Sequence, residues 1–228
     1  MASTRPCRLF LFDLDGTLVD SSEDIARAVN ALLTRMERPT LSKSVVLQFV
    51  GDGMESLVER ILRQAIGTAP CREKIKAGTD LLLEEYGKHL IESSRLYPGV
   101  RETLAALRTA RVGLVSNKPE ALSRRVLAGF GLAERFCVVL GGDSLARRKP
   151  HPDQILSALE RCQASPRETV MVGDSPTDIH AGKAAGVLTC GLSCGFRGRE
   201  ELEAAGCDVI IDHFARLLHH FSPPPAHP

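Results

Sequence analysis

Two aspartates separated by one leucine stand near the start of the chain, directly after a short apolar run. The run closes at Phe12, Asp13 and Asp15 follow it, and Gly16 and Thr17 come next. An apolar run bounded by a turn signal predicts a buried strand. Because open α/β sheets bind ligands outside the carboxyl ends of their strands, the pair predicts an acidic site at that edge. Two carboxylates this close repel each other, so a cation is expected beside them.

A second acidic pair follows a later apolar run. Asp174 and Asp178 come after residues 169–172, and Gly173 allows a close approach of the backbone. In a parallel sheet this pair can lie beside the first, and three or four carboxylates around one point require a cation. Ligation by oxygen atoms with few protein ligands favours Mg²⁺, which keeps bound water and accepts a substrate phosphate. The sequence therefore predicts Mg²⁺ as the cofactor.

Donors for an oxyanion follow two other apolar runs. Ser116 and Asn117 precede a predicted helix, where a hydroxyl and backbone amides suit a phosphate, although taken alone they are more often a plain helix-entry turn. Lys149 ends a run of three cations that Pro150 and Pro152 follow, which predicts a rigid turn. A carboxylate nucleophile, a hard metal, a lysine and amide donors together favour phosphoryl transfer. Such a nucleophile can form an aspartyl phosphate, which divides one difficult step into two.

The order of elements predicts an α/β fold with a doubly wound parallel sheet. From Pro98 onward, helical and strand patterns alternate, and such alternation builds parallel strands joined by right-handed crossovers. The predicted strands, including the first, are residues 8–12, 112–115, 136–140, 169–172, 187–192 and 209–211.

A helical segment interrupts this pattern. Residues 22–95 carry apolar residues at helical spacing and show no convincing strand. We therefore predict a discontinuous α/β core, residues 1–19 and 98–228, that carries an all-helical cap at residues 20–97. An insertion directly after an acidic strand end can act as a lid, which excludes water and adds substrate contacts. The proline-rich residues 222–228 are predicted to be a disordered tail.

The composition is that of a globular protein and excludes several classes of partner. The 228 residues are 43% hydrophobic and 25% charged. A formal net charge of +1 argues against nucleic acid or an acidic membrane as the main partner. No apolar run approaches the roughly 20 residues of a transmembrane helix, and the N-terminus lacks the apolar stretch of a secretory signal. The sequence leaves a monomer and a homodimer open.

Cysteine usage indicates a reducing compartment. The 7 cysteines are scattered and form no CxxC pair, which predicts free thiols in a cytoplasmic protein. Cys137 and Cys190 lie in apolar runs and are predicted to be small core residues.

The motifs, in this order and at these strand ends, resemble those of the haloacid dehalogenase-like (HAD) hydrolase superfamily over essentially the whole chain. The resemblance implies that Asp13 attacks phosphorus, while Asp15 protonates the leaving oxygen and then activates the hydrolytic water. It assigns Ser116 and Lys149 to the transferring phosphoryl group.

The same resemblance implies a ligand set for the metal. Mg²⁺ would be held by Asp13, the backbone carbonyl of Asp15 and Asp174. Asp178 would support the site from behind these ligands or by orienting Lys149.

Within the superfamily, the inserted segment resembles a type-one cap. Its Gly51-Asp52-Gly53 turn is similar to the cap loop of the bacterial phosphoglycolate phosphatase family, although a plain helix-to-helix turn explains these residues equally well. The implied function is Mg²⁺-dependent hydrolysis of a small phosphorylated metabolite, 2-phosphoglycolate first, through an aspartyl phosphate. The residues expected to bind substrate are Thr17, Gly51, Asp52, Gly53, Ser116, Asn117 and Lys149.

Several alternatives stay open or are disfavoured. A different small metabolite or sugar phosphate stays open, because Ser116 and His151 depart from the pattern of that family. A phosphomutase of the β-phosphoglucomutase type is disfavoured, since it carries an arginine where this chain has residues 54–56. A dehalogenase lacks the second aspartate, which is present as Asp15, and a phosphonatase needs a cap lysine in a recognisable motif. A catalytically silent binding protein would be expected to lose a motif residue, and none is lost.

Overall fold

Two separate units make up the structure, a computed structural model that describes residues 4–225. One unit contains the chain up to Asp20 and again from Leu96 onward, and the other contains Ser21–Arg95. The sequence pattern predicts these boundaries at residues 20 and 97.

The first unit is built on a parallel sheet. Its described residues form six hydrogen-bonded strands in the order β6 (Val138–Leu140), β5 (Arg111–Val115), β2 (Leu9–Phe12), β7 (Thr169–Gly173), β8 (Leu188–Leu192) and β9 (Val209–Ile211), with β2 near the centre. The chain therefore builds outward on one side of β2 and then crosses to the other side, as doubly wound sheets do. The remaining strands of the described chain are β1 (Arg5–Pro6), β3 (Val19–Asp20), β4 (Arg95–Leu96) and β10 (Phe221–Ser222).

Strand β2 is buried on both faces, which explains why its sequence is apolar without alternation. All four of its side chains are 0% exposed. Leu9 and Leu11 join a cluster of apolar residues that also includes Ile155 from a flanking helix. The ring of Phe12 stacks on that of Phe214 at a centroid distance of 5.6 Å. Helices and connections thus cover both faces of the sheet around β2.

Helices connect the strands of the first unit and fill the second. The α-helices of the described chain are α1 (Ser22–Arg35), α2 (Lys43–Gln48), α3 (Met54–Ile66), α4 (Arg72–Lys88), α5 (Val100–Ala106), α6 (Glu120–Gly129), α7 (Asp153–Arg161), α8 (Pro176–Ala184), α9 (Arg199–Ala204) and α10 (Leu217–His220). Short 3-10 helices lie at Ala133–Arg135, Pro166–Glu168 and Phe214–Arg216. Within residues 4–225, none of these helices has both the length and the apolar composition that crossing a membrane requires.

In the second unit, α4 packs against α1 and α3. The sequence pattern predicts a helix that continues to about residue 94, but α4 ends at Lys88. The buried carboxylate of Asp24 accepts the backbone N–H groups of Ser93 and Ser94 at 2.8–3.1 Å. These backbone donors are satisfied by a side chain and not by a further helical turn, so the chain stops being helical before them.

The predicted disordered tail is wrong at its start. Ser222 lies in β10 and pairs with Pro6 of β1, and the carbonyl of Pro224 accepts the Thr109 hydroxyl at 2.6 Å. The physical reason is Phe221, which is 0% exposed and anchors this strand. The remainder of that prediction, residues 226–228, lies outside the described residues.

We expect Phe221→Ala to lower the free energy of unfolding by about 3–5 kcal/mol, because it removes a fully buried ring. Urea denaturation at equilibrium measures the change. His220→Ala, at an exposed position next to it, serves as the matched control and should stay within about 0.5 kcal/mol of the parent protein. Equal stability of the two variants would show that β10 does not anchor the chain end.

Candidate active site

The strand order brings the sequence motifs to one edge of the sheet. Phe12 pairs with Leu114 of β5 on one side and with Val172 of β7 on the other. The residues that follow these three strands therefore emerge side by side at the carboxyl edge, where the sheet changes its direction of winding. Such a switch point is the usual ligand crevice of an open α/β sheet.

A buried lysine lies at the centre of this crevice. The Lys149 ammonium donates to Asp13 Oδ1 at 3.0 Å, to Asp178 Oδ1 at 2.6 Å and to the Val115 carbonyl at 2.7 Å. Its side chain is only 2% exposed. Three acceptors satisfy the three ammonium protons, so the charge is compensated and the position of Nζ is fixed.

The turn that carries Lys149 is held by Asn117 and by Gln154, a residue that the sequence pattern did not single out. Gln154, 0% exposed, accepts the Lys149 backbone N–H at 3.1 Å and donates to the carbonyls of Ser116 and Gly141 at 3.2 and 2.7 Å. Asn117 Nδ2 donates to the Lys149 carbonyl at 2.9 Å. Gln154 thus ties the Lys149 turn to the ends of β5 and β6. A glutamine near the start of an amphipathic helix carries no sequence signal for this role.

The Asp174 carboxylate is oriented by two donors. The Thr17 hydroxyl donates to Oδ1 and the Phe196 backbone N–H donates to Oδ2, both at 2.8 Å. Gly16 has φ +89°, and a Cβ atom there would lie 2.3 Å from Asp174 Oδ2. The turn after the first acidic pair can therefore pass this close to Asp174 only because residue 16 lacks a side chain.

Asp178 has one oxygen toward Lys149 and the other toward its own helix. Oδ2 accepts the backbone N–H and the hydroxyl of Ser175 at 3.1 and 2.7 Å, which closes a capping box at the start of α8. Of the two roles that the family resemblance left open for Asp178, this geometry favours the orientation of Lys149.

Asp15 has a different cationic partner. The Lys118 ammonium, on a side chain that is 1% exposed, donates to Oδ1 and Oδ2 of Asp15 at 2.9 and 3.0 Å. The sequence pattern marks Lys118 only as part of a turn and gives it no role. Its place directly after Ser116 and Asn117, at the end of a strand next to β2, was the signal that it could reach the acidic pair.

Burial and mutual repulsion raise the pKa values of Asp13 and Asp174 when no cation is bound. Burial raises the pKa of Asp13 to about 6, against the opposing charge of Lys149. Burial raises the pKa of Asp174 to about 8, and the charges of Asp178 and Asp13 add to it. For Lys149, burial favours the neutral form, but the carboxylates of Asp13 and Asp178 outweigh it and raise the pKa.

The arrangement can hold a metal ion. Carboxylate oxygens of Asp13, Asp174 and Asp178 lie within 4.8 Å of one another. Lys149 contacts both Asp13 and Asp178, whereas Asp174 accepts only from neutral donors, the Thr17 hydroxyl and the Phe196 amide, so its charge is the least compensated of the three. A divalent cation binds hard oxygen donors at this spacing. Its charge also favours the ionised form of carboxyl groups whose pKa values are raised.

The other predicted site residues lie in both units. Ser116 is buried at the end of β5, and its hydroxyl accepts the Lys118 backbone N–H at 3.4 Å. The predicted cap loop lies in the second unit, between α2 and α3. There Asp52 forms an ion pair with Arg60 at 2.5 Å. Gly51 and Gly53 have φ values of +125° and +89°, so this turn requires glycine at both positions.

Comparisons with known proteins identify the family. The model of the haloacid dehalogenase-like hydrolases matches residues 10–192. The phosphoglycolate phosphatase of Haemophilus influenzae is 37% identical over 216 residues, which cover 92% of this chain and 96% of that protein. The crystal structure of a predicted phosphoglycolate phosphatase from Haemophilus somnus 129pt superposes with a TM-score of 0.88 at 33% identity, covering 93% of this chain and 97% of that one.

A further relative of known structure is CbbY from Rhodobacter sphaeroides. A mutant form of it, crystallised in complex with xylulose-1,5-bisphosphate, is 26% identical with a TM-score of 0.78, covering 92% of this chain and 95% of that chain. The chain belongs to the haloacid dehalogenase-like hydrolase family. Within it, the protein is an enzyme, a phosphoric monoester hydrolase similar to phosphoglycolate phosphatases.

The raised carboxyl pKa values predict how stability depends on pH. An unfolded aspartate titrates near pH 4, whereas Asp13 and Asp174 titrate near 6 and 8 in the fold. Between these limits the folded state binds more protons than the unfolded state, so without metal its stability falls as the pH rises from about 4 to 8. Mg²⁺ competes with these protons and should raise Tm more at pH 8 than at pH 5.

Thermal unfolding in EDTA and in Mg²⁺ at the two pH values measures both effects. Asp174→Asn should remove most of the additional Mg²⁺ stabilisation at high pH. Asp80→Asn, at an exposed site in the second unit, is the control and should leave it unchanged. The same Mg²⁺ shift at both pH values in the parent protein would contradict the assignment of these carboxylates.

Proposed function

We propose that this protein is a Mg²⁺-dependent phosphatase that hydrolyses 2-phosphoglycolate to glycolate and phosphate through an aspartyl-phosphate intermediate. The observation that carries the proposal is the pairing of each member of the first acidic pair with its own buried lysine. Asp13 contacts Lys149 and Asp15 contacts Lys118, with Asp174 beside Asp13. Two carboxylates in different environments are suited to two different roles.

Asp13 is assigned as the nucleophile. One of its oxygens is held by Lys149 at 3.0 Å, which fixes the carboxylate at the mouth of the crevice with 14% of the side chain exposed. Attack on phosphorus forms the new O–P bond as the bond to the leaving oxygen breaks. We assign the Ser116 hydroxyl and the positive charge of Lys149 to the transferring phosphoryl group.

Asp15 is assigned to proton transfer. As an acid it gives its proton to the glycolate oxygen, and as a base it then takes a proton from the water that cleaves the aspartyl phosphate. Lys118 contacts both oxygens of Asp15 and so fixes the plane of the carboxylate. We call Lys118 a positioning residue because it acts through Asp15.

Mg²⁺ is assigned to Asp13, the Asp15 carbonyl and Asp174, and when bound it neutralises the charge that gathers on the phosphoryl oxygens. Thr17 and the Phe196 amide hold the Asp174 carboxylate. Asp178 holds Lys149 and is not needed as a ligand.

The choice of substrate is supported by the relatives. The phosphoglycolate phosphatase from Haemophilus influenzae covers nearly the full length of this chain. The substrate-binding residues we propose are Thr17, Gly51, Asp52, Gly53, Ser116, Asn117 and Lys149. A sugar phosphate is the second candidate, because CbbY, at 26% identity, has been crystallised with xylulose-1,5-bisphosphate. The free cysteines fit a cytoplasmic enzyme. We propose that it acts on a small metabolite as a monomer or a homodimer.

Substitutions in the acidic pair test the covalent route. Asp13→Asn should lower kcat by at least about a thousandfold, because the nucleophile is lost. Asp15→Asn should also lose turnover, but it should accumulate phosphoenzyme, because the water that cleaves it lacks a base. Acid-quenched protein measured by intact mass, with and without hydroxylamine, detects the acyl phosphate. Turnover by Asp13→Asn near the parent rate would exclude this mechanism.

A panel of phosphate esters tests the substrate. We expect kcat/KM for 2-phosphoglycolate to exceed that for a hexose monophosphate, a nucleotide and xylulose-1,5-bisphosphate by at least about tenfold, which corresponds to ~1.4 kcal/mol of transition-state binding. Released phosphate is measured with Mg²⁺ and with excess EDTA, which should abolish turnover. An Asp13→Asn preparation controls for contaminating phosphatases. A flat profile, or a preference for the bisphosphate, would refute the narrow assignment while leaving a phosphatase.

The role of Lys118 predicts a separable kinetic effect. Lys118→Met should lower kcat by about a hundredfold, since the Asp15 carboxylate loses its fixed orientation, with a smaller change in KM. Lys118→Arg should restore part of kcat, because a cation again faces the carboxylate. Arg124→Met, an exposed change on α6, is the control. A rise in KM alone would instead make Lys118 a substrate-binding residue.

A further inference from the structure

Two cysteines meet at the end of the first unit opposite the aspartates. Sγ of Cys137 lies 3.1 Å from Sγ of Cys162, although the residues are 25 positions apart in the chain. Cys137 directly precedes β6, and Cys162 directly follows α7. The amino ends of parallel strands share one edge, and α7 runs back toward it, so this pair lies about one strand length from the acidic crevice. It is a second cluster of nucleophilic groups, which the proposed phosphatase reaction does not use.

The two thiols differ in exposure and in ionisation. Cys137 was predicted to be a core residue, but it is exposed, whereas Cys162 is 3% exposed and packs in the apolar cluster under the sheet. The hydrogen bond from Cys162 lowers the pKa of Cys137 to about 6, and the charge of Arg111 adds to it against the effect of partial burial. The same bond and burial raise the pKa of Cys162. Cys137 is therefore the nucleophile and Cys162 the second thiol.

A groove that Cys162 helps to line favours anions. It has a volume of about 420 Å³ and is lined by Cys162, Arg8 and Arg111 among others. Glu168 contacts Arg8 at 3.5 Å and offsets part of this charge. Two guanidinium groups against one carboxylate leave the groove with an excess of positive charge, which attracts small anions at low ionic strength.

We propose that Cys137 and Cys162 form a dithiol site that reacts reversibly with small anionic disulfides, glutathione disulfide being the probe. The Cys137 thiolate attacks one sulfur of the disulfide, a mixed disulfide forms, and one thiolate leaves. Cys162 then gives up its proton to solvent and attacks Cys137 Sγ, which releases the second thiolate. The protein loses two electrons and two protons, and the small disulfide is reduced to two thiols.

The fold accommodates the product with little movement. The sulfur atoms must approach from 3.1 Å to a bond of about 2.05 Å. The new bond joins the start of β6 to the end of α7 and closes a loop that includes the Lys149 turn. A closed loop restricts the unfolded chain, so the oxidised protein should have a higher Tm, by about 5 °C.

The wild-type full chain, reduced and then freed of reductant, tests the proposal directly. After incubation with glutathione disulfide at pH 7, intact mass should show the loss of two hydrogens and no retained glutathione, and alkylation after denaturation should label five of the 7 cysteines. Non-reducing peptide mapping should join the peptides of Cys137 and Cys162, and dithiothreitol should reverse the change. A stable adduct on the exposed Cys71 or Cys194, with Cys137 still free, would overturn the proposal.

Variants separate the two steps. Cys162→Ser should stop at a mixed disulfide on Cys137, and Cys137→Ser should react at least about tenfold more slowly. Cys71→Ser, at an exposed site in the second unit, is the matched control and should form the bond like the parent protein. Reaction of Cys137→Ser at the parent rate would contradict the assigned nucleophile.

The charge of the reagent tests the groove. Glutathione disulfide should react faster than the cationic disulfide cystamine at low salt, and the ratio should fall as salt is added. Arg111→Gln should reduce this ratio, whereas Arg101→Gln, elsewhere on the unit, should not. A preference for cystamine would exclude an anionic partner. All of these readouts are independent of phosphatase activity, so their failure is distinct from failure of the proposed function.

Discussion

Four aspartates and two lysines share a small buried crevice, where charge without a partner is costly, and the rest of the site is built around this constraint. Lys149 satisfies Asp13 and Asp178 at once, while Lys118 satisfies Asp15. Leaving any of these charges without its partner in a buried site costs about 3–5 kcal/mol. Asp174 is held by neutral donors, a hydroxyl and a backbone amide, and its pKa is raised to about 8. The excess of negative charge at Asp174 and Asp13 is the feature that suits the crevice to a divalent cation.

The winding of the sheet creates this crowding. The parallel strands β2, β5 and β7 are neighbours, so residues far apart in sequence emerge at one edge. Backbone hydrogen bonds within buried strands fix the edge, and Gln154 fixes the Lys149 turn against it. The reactive groups are thereby held by elements that are themselves immobile, and such preorganisation is the main source of catalysis in phosphoryl transfer. The same sheet presents a different chemistry at its other edge, where Cys137 and Cys162 meet away from the carboxylates.

Family membership and geometry bear on different levels of function. The match to haloacid dehalogenase-like hydrolases and the relatives near 37% identity identify a phosphatase. The crevice explains how Asp13 and Asp15 can do different work although one residue separates them, because each faces its own cation. Selection among phosphate esters depends on contacts to the remainder of the substrate. The Gly51-Asp52-Gly53 turn, which we propose for that selection, has both of its glycines in the left-handed region.

The fold class, the inserted helical segment and the order of the motifs could be predicted from the sequence. Strands buried on both faces appear as apolar runs, the motifs are the polar residues that follow these runs, and the inserted segment has helical spacing. The sequence also predicted the acidic pairs and Lys149, whose residue types and spacing are local features. Tertiary structure alone decided the pairing of Lys118 with Asp15, the role of Gln154 and the contact of Cys137 with Cys162. These contacts join residues 25 to 103 positions apart, or depend on which way a side chain leaves a turn. Tertiary contacts also outweigh local propensity at two places. Bonds from the Ser93 and Ser94 backbone to Asp24 follow the end of α4 at Lys88, and burial of Phe221 places Ser222 in a strand.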